Sequence, residues 1–68
     1  MKVIDILKKI NDVKLYIEIK EVESGASFGI FTKNDSSIVY NNRLKNKTIN
    51  NINVQYYNGK RLIVLEVK

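Results

Sequence analysis

The sequence predicts an α+β domain in which a short N-terminal amphipathic helix is followed by an antiparallel meander of about five strands, ending in an Asn-Gly hairpin. Three observations predict this fold. Apolar residues recur with helical spacing at the N-terminus, they alternate with polar residues further on, and two β-rich runs flank Asn58-Gly59. A chain of 68 residues has room for one hydrophobic core, so residues 1–68 are expected to form a single domain.

The first element is a helix predicted over residues 2–12. Its apolar residues Val3, Ile6, Leu7 and Ile10 fall within a stripe about 100° wide, and lysines and aspartates occupy the other side. About three turns of helix are marginal in water alone. We therefore expect this stripe to dock on a sheet.

The next elements are three strands. Residues 13–22 alternate with period two, which is typical of a strand with one buried face. The turn residues around Gly25 lead to a second strand at 27–32, and the polar residues 33–36 lead to a third at 37–41. The polar, basic residues 42–51 are predicted to form the longest loop.

The C-terminal hairpin is the clearest element. A type I′ turn needs positive φ at both central residues, and Asn-Gly satisfies this better than most pairs. With Asn58-Gly59 as the turn, one set of apolar side chains shares a core face: Ile52, Val54, Ile63, Leu65 and Val67. Leu62 and Val64 then lie on the opposite face.

The amino-acid composition argues against a catalytic function. The chain has no Cys and no His, which removes disulfides, thiolate nucleophiles, imidazole bases and nearly all zinc and haem ligand sets. Glu21 and Glu23 share a strand face and could hold a hard cation, but a solvated strand end explains them better. We expect no enzyme, no catalytic residue, no cofactor and no metal site.

The chain also has no segment typical of export or membrane insertion. Its N-terminal apolar run is short and interrupted by Asp5, Lys8 and Lys9, and no run approaches the ~20 apolar residues that span a bilayer. We expect a cytoplasmic protein of a host cell, without a membrane partner.

Positive charge suggests one binding function. The net charge is +5, and residues 36–68 carry the whole excess. We expect one basic patch and an adjoining aromatic set, made of Arg43, Lys45, Lys47, Lys60 and Arg61 with Tyr40, Tyr56 and Tyr57. Single-strand nucleic-acid binders combine such charges and rings. The alternative is a solvated surface in a chain rich in Ile, Lys and Asn, which AT-rich codons encode.

An uncovered sheet face suggests a second binding function. One short helix covers one face only, which leaves Leu62 and Val64 as the centre of an apolar contact surface on the other. We expect a homodimer, or docking on a larger protein, through this face or through an edge strand. Scattered exposed apolar residues are the alternative interpretation.

The opening segment Met1-Lys2-Val3-Ile4-Asp5-Ile6-Leu7-Lys8-Lys9-Ile10 resembles the start of small uncharacterised phage and prophage accessory proteins of low-GC Gram-positive bacteria. The resemblance implies a mobile-element protein that occupies or inhibits a host protein, for example a defence nuclease. It assigns no functional residue. The expected function is therefore a non-enzymatic protein-binding module, and the alternative is a nucleic-acid-binding protein that uses the basic region 43–61.

Overall fold

The computed structural model describes residues 1–68, which form three helices and four strands. The helices are α1 (Val3–Lys9), α2 (Ser36–Val39) and α3 (Asn42–Lys45). The strands are β1 (Tyr16–Glu21), β2 (Ser27–Phe31), β3 (Ile49–Tyr57) and β4 (Lys60–Val67). The protein is an α+β domain with a short N-terminal helix.

The strands form one mixed sheet in the order β2-β1-β4-β3. Strands β1 and β4 are parallel, whereas β1–β2 and β3–β4 are antiparallel. The predicted meander of about five antiparallel strands is therefore wrong. The uninterrupted apolar run Leu62–Leu65 explains the difference, because such a run suits a central strand with both faces buried. Strand β4 takes that place between β1 and β3.

Two single-turn helices replace the strand predicted at 37–41 and part of the loop predicted at 42–51. Asp35 starts α2, where its carboxylate accepts a hydrogen bond of 2.9 Å from the backbone N–H of Ser37. Asn41 starts α3 by accepting one of 3.0 Å from the N–H of Leu44. These N-caps outweigh the β propensity of the residues that follow Asp35.

The first helix is shorter than the predicted 2–12, but its apolar stripe docks as expected. The Asp5 carboxylate accepts a hydrogen bond of 2.8 Å from the Lys2 backbone N–H, which fixes the first turn. Val3, Leu7 and Ile10 are buried.

Asn58 and Gly59 connect β3 to β4, and both have positive φ, of 51° and 74°. The pairing places Tyr57 opposite Lys60 and Val54 opposite Ile63. Every residue of β3 after Ile49 is exposed, whereas β4 is largely buried.

The helices pack on one face of the sheet and form a single core there. Its buried members are Val3, Leu7, Ile10, Ile17, Ile19, Phe31, Ile38, Leu44, Leu65 and Val67. Ile52 and Val54, which were expected in this core, are 45% and 60% exposed. They have the predicted register opposite Leu65 and Ile63, but β3 is an edge strand and its side chains extend past the helices.

Candidate functional site

The interior holds no polar or charged side chain that could serve as a desolvated acid, base or ligand. All of the buried residues are hydrophobic. No group of three or more His, Cys, Asp or Glu side chains is arranged to hold a metal ion. The polar and charged side chains all lie at least partly on the surface.

The five basic residues predicted as one patch lie at opposite ends of β3. Arg43 and Lys45 belong to α3, just before β3 begins, whereas Lys60 and Arg61 follow the turn at its far end. Nine residues of strand separate the two groups by about 26 Å at a rise of ~3.3 Å per residue. They therefore form two separate basic sites.

Three of these lysines contact groups of the protein itself. The Lys45 ammonium donates a hydrogen bond of 2.6 Å to the backbone carbonyl of Val39. The Lys47 ammonium lies 5.4 Å from the centre of the Phe28 ring, and that of Lys60 lies 5.7 Å from the centre of the Tyr16 ring. Both distances are typical of cation–π contacts.

The three predicted aromatic contact residues are exposed but dispersed. Tyr40 ends α2, beside the first basic group. Tyr56 and Tyr57 precede the turn at the other end of β3, and as neighbours in a strand they point to opposite faces. One ligand cannot stack on all three rings.

Leu62 and Val64 are not available as interface residues. They lie on the face that the helices leave uncovered, yet they are only 4% and 2% exposed. Tyr16 and Gln55 flank Leu62 in the sheet, and Glu18 and Asn53 flank Val64 in the same way. Longer side chains on either side thus shield these shorter apolar ones.

A cleft of about 310 Å³ lies beside α3 and the end of β1. Its lining consists of Glu21, Phe28, Asn41, Arg43, Leu44 and Lys47. Two cations and an exposed aromatic ring therefore meet in one concave site. The two cations are predictable from the sequence, but Phe28 and Asn41 are not, because the turn after β1 and the Asn41 cap bring them to the cleft.

A second depression of about 200 Å³ is lined by three apolar residues and three lysines. It is lined by Ile4, Leu7, Lys8, Lys33, Val39 and Lys45. The Lys33 ammonium donates a hydrogen bond of 2.6 Å to the carbonyl of Ile10, and Lys45 binds the carbonyl of Val39. Two of the three lysines thus bind backbone carbonyls at the C-terminal ends of α1 and α2.

The most unusual surface is the outer edge of β3. This strand has β4 as its neighbour on one side and no strand on the other. Natural edges are commonly protected by charged residues, Pro or bulges. A bulge lies between Ile49 and Asn51, but the segment Asn51–Tyr57 that follows contains no charged residue and no Pro, and all of it is exposed. We name this segment the open edge.

The N-terminal residues cover the beginning of β3 and so define where the open edge starts. The backbone N–H of Ile49 donates a hydrogen bond of 2.8 Å to the carbonyl of Met1, and the N–H of Val3 donates one of 3.1 Å to the carbonyl of Lys47. Lys2 and Thr48 form an antiparallel bridge. This short pairing stops at Ile49.

Known proteins provide no guide to the function, because no family model, curated protein or solved structure matches this chain. None of the three helices has the length and hydrophobicity of a membrane span.

Proposed function

We propose that the protein is a non-enzymatic protein-binding module that receives an extended protein segment along the open edge. One observation carries this proposal. The open edge is a long, uncharged, exposed strand, and its residues Ile52, Val54 and Tyr56 present apolar side chains on one face. An unpaired strand edge is a template for a further strand.

The chemistry of the edge defines the partner. In strand addition, backbone hydrogen bonds provide affinity and alternate side chains provide specificity. A partner segment with apolar or β-branched residues at every second position would place them beside Ile52, Val54 and Tyr56. Any protein that offers such a segment is a candidate partner, and the resemblance of Met1–Ile10 implies a host protein.

A synthetic heptapeptide of alternating Val and Thr is a suitable probe for this proposal. We expect its addition to shift the amide NMR signals of Ile52, Val54 and Tyr56, because their backbone groups would gain partners. Shifts confined to the helices, or no shifts at saturating peptide, would refute strand addition.

Two substitutions at one position make the test specific. Val54→Pro removes an outward N–H and is compatible with an edge strand, so it should abolish peptide binding. Val54→Thr keeps both the N–H and the β-branched shape, so it should retain binding. Equal binding by the two variants would contradict a backbone-mediated contact.

Nucleic-acid binding is the second candidate, and the cleft beside α3 is the observation that favours it. Arg43 and Lys47 offer charge for phosphates, and Phe28 offers a ring for a base. The negatively charged Glu21 carboxylate in the same cleft would repel a phosphate. The far hairpin tip is too distant to contribute to one short strand.

Salt titration of single-stranded RNA binding tests this second candidate. Two phosphate contacts predict a log–log slope of about −1.4. Arg43→Gln and Lys47→Gln should weaken binding, whereas the matched changes Lys60→Gln and Arg61→Gln at the other end of β3 should not. Absence of binding at low salt, or equal losses from both pairs, would exclude the cleft as an RNA site.

A further inference from the structure

We infer that the strand received by the open edge is the open edge of a second copy of this chain, which makes the protein a two-fold dimer. This inference rests on the proposed function, because both use the same edge. Pairing β3 with the partner's β3 would join two four-stranded sheets into one of eight strands.

The backbone groups available for pairing belong to the apolar residues of the open edge. Tyr57 and Lys60 flank the two-residue turn, so they form a hydrogen-bonded pair. Backbone groups point alternately to the two sides of a strand. Those of Tyr56, Val54 and Ile52 consequently point outward, away from β4. Each contributes one N–H and one C=O.

An antiparallel register centred on Val54 satisfies all of these groups. Val54 then lies opposite the partner subunit's Val54, and Ile52 lies opposite the partner subunit's Tyr56. These pairs join β-branched and aromatic side chains, which pack favourably across strands. On the other face, Asn53 lies opposite the partner subunit's Gln55, so amide faces amide. The strand is therefore complementary to itself on both faces.

The N-terminal residues exclude a register shifted towards them. Strand β3 has a bulge between Ile49 and Asn51, so with the axis at Asn53 the partner subunit's Tyr56 would lie opposite Ile49, whose outward N–H is already bonded to Met1. With the axis at Val54, the paired segment ends at Asn51, opposite the partner subunit's Tyr57. The pairing of Ile49 with Met1 then lies outside the paired segment, next to the partner's turn.

Charge makes the dimer distinguishable from a complex with an anionic partner. The open edge contains no charged residue, so no ion pair forms between the two paired strands. Each chain nevertheless carries a net charge of +5, and the two copies repel one another at longer range. Added salt screens this repulsion and should strengthen the dimer, whereas it would weaken binding of an anion.

The contact is one strand wide, so we expect a concentration-dependent equilibrium rather than a permanent dimer. Sedimentation equilibrium of the wild-type chain should show a mass that rises from 7.9 kDa towards twice that value with concentration, and more readily at higher salt. In a mixture of differently labelled chains, intermolecular NOEs should connect Ile52 of one copy with Tyr56 of the other.

Three variants of Val54 control the experiment. Val54→Pro should remain monomeric, and Val54→Thr should dimerise like the wild type. Should the proline variant fail to fold, Val54→Lys is an independent test, since it would place two like charges opposite each other at the two-fold axis. Circular dichroism establishes which variants are folded.

The outcomes separate this inference from the proposed function. A single-chain mass at every concentration, or a dimer that survives Val54→Lys unchanged, would overturn the dimer. If the chain stays monomeric but the Val-Thr heptapeptide still shifts the open-edge amides, the dimer is refuted and strand addition by a different protein stands. If neither occurs, both proposals fail.

Discussion

The backbone N–H of Ile49 donates a hydrogen bond of 2.8 Å to the carbonyl oxygen of Met1, on the side of β3 that faces away from β4. Two residues of the N-terminus thus cover the beginning of an edge strand whose other protection is a bulge between Ile49 and Asn51. The rest of that edge, Asn51–Tyr57, has no charged residue and no Pro to prevent strand pairing. The boundary between the covered and open parts of β3 lies after Ile49.

Amide hydrogen exchange should reveal this boundary. In dilute protein we expect slow exchange at Ile49, where the N–H is bonded, and fast exchange at Ile52, Val54 and Tyr56. The amide of Val64, in the central strand, provides an internal reference for slow exchange. At concentrations that favour the dimer, the three open-edge amides should become protected. Protection of all three in a monomeric sample would contradict an open edge.

The C-terminal half illustrates what sequence periodicity can and cannot supply. Two-residue turns fix register, so the pairing of Val54 with Ile63 follows from the position of Asn58-Gly59. Periodicity does not specify neighbours beyond the hairpin. If β4 is assumed to pair with β3 alone, Leu62 and Val64 are predicted to be exposed. The parallel pairing of β4 with β1 buries them instead. An unbroken apolar run was the available signal for a central strand.

The candidate sites depend on tertiary contacts that the sequence does not contain. The charges of Arg43 and Lys60 are evident from the sequence. The distance between them depends on the length of β3 and on two helix caps that the sequence pattern did not predict. Asp35 and Asn41 each precede a helical turn, and such residues are typical N-caps. The β-rich segment between them suggested a strand instead. In this segment the N-cap hydrogen bonds of Asp35 and Asn41 outweigh the β propensity of the residues between them.

Strain at the turn is the basis of the next prediction. Gly59 has φ of 74°, and a Cβ built on it would meet no atom within 4 Å. Gly59→Val should therefore lower the free energy of unfolding by about 1–3 kcal/mol through backbone strain, without steric overlap. Gly59→Asn should cost less, because Asn tolerates positive φ better. Urea unfolding of both variants tests this, and equal stability of the Val variant and the wild type would argue against the turn.

The two N-caps should be individually measurable. Asp35→Ala and Asn41→Ala each remove a side-chain acceptor from a helix start, and each should cost about 1 kcal/mol of unfolding free energy. Asn34→Ala changes an exposed neighbour of Asp35 and should stay within about 0.5 kcal/mol of the wild type. Equal urea midpoints for all three variants would show that the caps do not stabilise α2 and α3.

The contrast between Val64 and Val54 provides the sharpest test of the sheet. Both are valines on the paired strands β4 and β3, but Val64 is 2% exposed and Val54 is 60% exposed. Val64→Lys would force a longer, charged side chain into the 2%-exposed space between Glu18 and Asn53, so we expect a loss of about 1–3 kcal/mol of unfolding free energy. Val54→Lys should change the stability of the monomer by less than about 0.5 kcal/mol. Thermal unfolding followed by circular dichroism at concentrations too low for dimerisation compares them directly. If Val64→Lys melted like Val54→Lys, β4 could not lie at the centre of the sheet, and the order β2-β1-β4-β3 would have to be abandoned.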